Sequence, residues 1–114
     1  MTLAIDASQH GPVLVIALDG RLDGVSSKSL DSYLNERLSG GLDRLVLDLG
    51  KVDYVSSFGL RLILLAAKKL NGPGRRFGVC RLTENVKQTF TISGFSSIIA
   101  IHDTVEDAVS AAQQ

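Results

Sequence analysis

One cysteine, Cys80, stands in 114 residues, so no internal disulfide is available and the core alone must hold the fold. Two histidines, His10 and His102, complete the set of soft and imidazole ligands. Widely spaced with one cysteine, they make no metal-binding pattern. A hydrolytic triad needs a histidine base, and these two fall beside a turn and at the end of a strand. An excess of charge of one sign is missing too. Twelve basic and twelve acidic residues cancel to a formal net charge of zero, which removes the overall field that would attract nucleic acid or anionic lipid. The longest apolar stretch, "LILLAAKKL", is broken by Lys68 and Lys69, well short of the roughly 20 residues of a membrane span. Nothing at the amino terminus resembles a charged region followed by an apolar signal core. These absences set the expectation of a soluble, cytoplasmic, reduced protein with no metal, no cofactor, no nucleic-acid partner and no membrane insertion.

What is present is apolar material for one core. At 45% apolar residues, the chain reads as a single domain over 1–114. "LAIDASQHGPVLVIALDG" gives two extended runs around a Gly11-Pro12 turn, a hairpin. From Asp23 to Leu38, apolar residues recur at helical spacing after the capping candidates Asp23 and Ser26/Ser27, and Gly40-Gly41 ends the helix. "LDRLVLDLG" is nearly continuous in Leu and Val between glycines, as a central strand buried on both faces would be. A helix over 58–70 stops at Asn71-Gly72-Pro73-Gly74, and "RRFGVCRL" supplies the next strand. Thr83 caps a third helix that Gly94 ends, "IIAI" is a short strand, and the last helix lies around Val105, Ala108 and Val109. The predicted fold is α/β: a mixed, mostly parallel sheet with an N-terminal hairpin and about four helices.

The stretch "DYVSSFGLRL", residues 53–62, carries the chemistry. A strand ending near Val55 and a helix starting near Phe58 make Ser57 the expected N-cap, with Ser56 an added cap or neighbour. The same geometry offers unpaired amides and the positive end of the helix dipole to a phosphate on or near Ser57. Position alone does not choose between a cap and a phosphate site. Phe58, Arg61, Leu65 and Lys68 follow one another at spacings of three, four and three, an outer stripe of the helix if Phe58 is exposed, and a core aromatic with solvated cations if it is not. A nucleophile elbow, G-x-S-x-G, fails because Val55 replaces its first glycine, and "NGPG" precedes a strand rather than opening a helix as a phosphate loop would. No autonomous catalyst is expected.

The stretch "LVLDLGKVDYVSSFGLRLILLAAKKL", with "GRLD" at 20–23 and "ISGF" at 92–95, resembles a STAS domain of the anti-sigma factor antagonist type over almost the whole chain. In that family a strand leads into Asp-Ser-(Ser/Thr)-Gly-Leu, and the serine after the acidic residue is phosphorylated by an anti-sigma factor that is also a serine kinase. Ungapped alignment on Gly59-Leu60 puts that acceptor at Ser57, with Ser56 in the acidic position and Phe58 in the second hydroxyl position. The resemblance implies partner switching. The unmodified chain, a monomer when free, binds an anti-sigma factor with serine kinase activity, phosphorylated Ser57 prevents that binding, and a serine phosphatase resets it. Asp23, Ser56, Phe58, Arg61, Leu65 and Lys68 are the candidate partner-binding residues. The alternative is a constitutive scaffold or transporter-associated STAS subunit whose serine is never modified.

Overall fold

A computed structural model describes residues 3–114. Its elements follow in the order β1 (Ala4–His10), β2 (Val13–Leu22), α1 (Ser27–Ser39), β3 (Arg44–Val55), α2 (Ser57–Lys69), β4 (Arg76–Cys80), α3 (Glu84–Ile92), a 3-10 turn at Phe95–Ser97, β5 (Ala100–His102) and α4 (Val105–Gln113). Five strands form one sheet in the order β1-β2-β3-β4-β5. β1 pairs antiparallel with β2, and every later pair is parallel. The expected mixed sheet, its opening hairpin and its four helices are therefore present, with β3 at the centre.

The order of strands explains the layering. Each parallel connection steps one strand in the same direction, and right-handed crossovers taken that way place all the connecting helices on one face. Leu14, Ile16 and Leu18 of β2 and Leu45, Leu47 and Leu49 of β3 meet Leu30, Leu34, Ile63, Ala66 and Phe90 from α1, α2 and α3 in a single buried cluster. The intervening residues Val13, Val15 and Val46 point to the opposite face, as the period of two requires, and pack with Cys80 against Ala108 and Ala112 of α4. This two-sided burial is why β3 reads as an almost unbroken apolar run.

α1 begins at Ser27 with Ser26, one of the capping candidates, as its N-cap, while the Asp23 carboxylate accepts from the amides of Val25 and Ser26 and holds residues 23–26 in a turn. Two boundaries differ from expectation. The last strand is Ala100–His102 rather than 98–101: the Ile98 amide donates to the Phe95 carbonyl at 3.0 Å, so the chain is still turning there. α2 starts one residue earlier than expected, at Ser57, which changes the assignment of its cap.

Candidate functional site

β2 and β3 end side by side, and α1 and α2 begin just beyond them. The Ser56 amide donates to the Leu22 carbonyl at 2.8 Å, so Ser56 is still tied to β2 and keeps an extended backbone. Its side-chain Oγ then accepts from the Gly59 amide at 3.2 Å. Ser56, not Ser57, is therefore the N-cap of α2, and the expectation for Ser57 is corrected. Sheet pairing extends one residue further than apolar patterning reveals, and the cap follows the first residue that leaves it.

Ser57 is the first helical residue, and its side chain is exposed and takes no part in the cap. Gly59 explains the close docking of this helix end on the sheet. A Cβ at that position would lie 2.8 Å from the Leu22 carbonyl oxygen, 2.9 Å from Leu22 Cγ and 3.0 Å from Val55 Cγ1. A side chain there would lift the start of α2, and Ser57 with it, off the strand ends.

Phe58 is 63% exposed and Leu65 44%, with Arg61 and Lys68 also exposed, so the four residues are on the outer side of α2. The Phe58 ring leans across to the turn that precedes α1: a Cβ on Gly24 would meet its Cδ2 at 3.4 Å. Between the two helices runs a groove of about 440 Å³ lined by Phe58, Arg61 and Leu65 from α2 and by Gly24, Ser27, Lys28 and Asp31 opposite. Lys68 does not line it. It faces a separate cavity at the other end of α2.

Asp23 is engaged in shaping the α1 side. Its Oδ1 accepts from the Ser26 amide at 2.9 Å, the Ser26 hydroxyl at 3.0 Å and the Val25 amide at 3.1 Å. The Ser26 amide bond is the main reason that its carboxyl is held below its ordinary 3.8, followed by the Ser26 hydroxyl. Sequence reading missed the α1 residues of the groove. Ser27 and Asp31 do stand at i and i+4, but which face of α1 meets α2 is settled only by packing. Ser27 is buried at 7% exposure, and its Oγ has no hydrogen-bond partner among the described residues.

On the opposite face, Arg81 Nη1 donates to buried Asp48 Oδ2 at 3.0 Å, while Asp48 Oδ1 accepts from the Gly50 amide at 3.0 Å. Arg81 has φ 60°, in the left-handed region that a side chain rarely adopts. Its guanidinium covers Gly50 so closely that a Cβ there would lie 2.7 Å from Cζ. Cys80, beside it, is buried, and loss of solvation pushes its thiol up to about 12, with the Asp48 charge acting in the same direction.

Residues 4–108 match the family model of the STAS domain. The chain belongs to the STAS family. Among curated STAS proteins, BtrV of Bordetella bronchiseptica, provisionally named an anti-sigma factor antagonist, is 37% identical over 99 residues, covering 87% of this chain and 85% of BtrV. An anti-sigma factor antagonist from Mycobacterium paratuberculosis superposes with a TM-score of 0.90 at 23% identity, covering 98% and 95% of the two chains. The anti-sigma factor antagonist SpoIIAA in its unphosphorylated form superposes at 0.82 with 19% identity, covering 96% of each chain. Its phosphorylated form superposes at 0.73 with 18% identity, over 95% of this chain and 96% of the other. The domain is thus a STAS domain of the anti-sigma factor antagonist group, and among its described residues no helix is long and apolar enough to cross a membrane.

Proposed function

We propose that this STAS domain works by partner switching, with Ser57 as its phosphorylation site. Unmodified, it binds an anti-sigma factor with serine kinase activity through the start of α2 and the groove beside it. The kinase, which brings ATP and magnesium, transfers the γ-phosphoryl group to Ser57 Oγ, with loss of the hydroxyl proton and release of ADP. The complex then separates, and a serine phosphatase restores the hydroxyl by hydrolysis.

One observation carries the reading: the two adjacent serines have different jobs. Ser56 is spent on the cap, and Ser57 is exposed at the positive end of the helix, where phosphate is electrostatically tolerated. Modification there adds about −1.5 to −2 charges next to exposed Phe58, which disfavours an apolar contact by repulsion and desolvation while leaving the cap intact. Phe58 and Arg61 have the composition of an interface hot spot. The phosphate sources and sinks belong to the partners.

The test uses the cognate kinase. Incubation with kinase and ATP adds one phosphate, and peptide mapping locates it at Ser57; modification at Ser56 alone overturns the assignment. In calorimetric titrations Ser57→Asp loses the anti-sigma partner while melting like the parent. A Ser57→Asp protein that binds as the parent does would leave the constitutive scaffold as the function.

A further inference from the structure

Between Tyr54 and Thr83 the chain has no aspartate or glutamate, yet Arg61, Lys68, Lys69, Arg75, Arg76 and Arg81, six of its twelve cations, lie there. The fold brings three of them together. Lys68 from the last turn of α2, Arg75 from the following loop and Arg76 from the start of β4 line a cavity of about 540 Å³. Its apolar wall is made by Leu64, Phe77 and Ile98, and no carboxylate is among its lining residues. The volume is in the range of small-ligand sites.

The two arginines are oriented by backbone carbonyls. Arg75 Nη1 donates to Lys69 O at 2.9 Å and Arg76 Nη1 to Arg75 O at 2.6 Å. A guanidinium has five N–H donors, so one such bond leaves others for a ligand. Ile98, which lines the cavity, is 64% exposed, although it is a large aliphatic residue in a turn otherwise built from Gly, Ser and Phe. A lining of apolar side chains and three cations with no acid is complementary to a ligand with an apolar body and one anionic head.

We propose that this cavity is a second, small-molecule site of the domain, taking a free single-chain amphiphilic carboxylate. The head group lies against Lys68, Arg75 and Arg76, and the aliphatic body against Leu64, Phe77 and Ile98. The site is on the carboxyl-terminal half of α2: at 1.5 Å per residue, Leu64 and Lys68 stand about 10 and 16 Å along the helix from Ser57. Occupancy therefore leaves the Ser57 surface uncovered, and the site stands or falls independently of partner switching.

Octanoate is the probe, titrated into the full chain while amide shifts are followed by NMR. Saturable shifts are expected around Leu64, Lys68, Phe77 and Ile98, with octanoate binding at least about tenfold tighter than 1-octanol, the difference a charge-assisted contact supplies. Inorganic phosphate, which has no apolar body, should leave those amides unmoved. Ile98→Glu changes an exposed side chain, so it should melt like the parent and lose octanoate; Lys68→Gln should weaken it several-fold. Ser57→Asp should bind octanoate as the parent does. The proposal is overturned by absence of saturation up to about 10 mM, by equal affinity for octanol, by phosphate shifting the same amides, by unchanged octanoate binding in Ile98→Glu, or by binding to phosphatidylglycerol vesicles without binding to free octanoate.

Discussion

Replacing the two adjacent serines one at a time separates the structural hydroxyl from the proposed regulatory one. Ser56→Ala removes the oxygen that accepts from the Gly59 amide at 3.2 Å, while the backbone bond from the Ser56 amide to Leu22 survives. Loss of such a cap costs about 0.5–2 kcal/mol. Ser57→Ala alters an exposed side chain outside the cap, where changes stay within about 0.5 kcal/mol. Over 114 residues, an unfolding entropy of about 2.1 cal/mol/K per residue gives roughly 0.24 kcal/mol/K, so each kcal/mol moves the melting temperature by about 4 °C. Ser56→Ala should therefore melt about 2–8 °C below the parent, and Ser57→Ala within about 2 °C of it. Ser56→Asp should recover the loss, since aspartate is an equally good cap. Thermal melts followed by circular dichroism decide the matter, with hydrogen exchange at the Gly59 amide as the local readout. A Ser57→Ala protein that melts below Ser56→Ala would refute the assignment of the cap.

Other expectations follow from burial. Phe58→Ala should shift stability by under about 1 kcal/mol, because the ring is 63% exposed, yet weaken the anti-sigma partner by about 2 kcal/mol or more in calorimetric titration if it is an interface anchor. Ser27→Ala removes a buried hydroxyl that lacks a partner among the described residues, so urea unfolding should show a stability equal to or above the parent's. Cys80, raised to about 12, stays protonated in the folded protein across neutral and mildly alkaline pH, since its thiolate forms only as pH approaches that value. Ellman's reagent at pH 8 should react only on unfolding, and rapid native-state labelling would contradict both the burial and the shift.

Much of the architecture was legible because its signals are local. Alternation in β2, the continuous apolar run of β3, the glycine stops after α1 and α2, and the Thr83 cap each depend on residues adjacent in the chain, and each element stands within a few residues of its expected place. The resemblance of "DYVSSFGLRL" and its flanks to the STAS family points to Ser57 from residues adjacent in the chain. Tertiary structure alone decided which serine is the cap, because that depends on a hydrogen bond from Ser56 to Leu22, 34 positions away in the chain. It also decided that Phe58 is outside the core: a helix that is apolar at most positions does not announce which side meets the sheet, and Gly59 sets that side by close contact with Leu22 and Val55. The evenly spaced stripe of Phe58, Arg61, Leu65 and Lys68 proved to serve two different surfaces, the first three lining the groove with α1 and Lys68 a cavity made with the loop before β4. Spacing along one helix fixes which residues share a side, but the neighbours that turn that side into a site come from segments brought in by the fold.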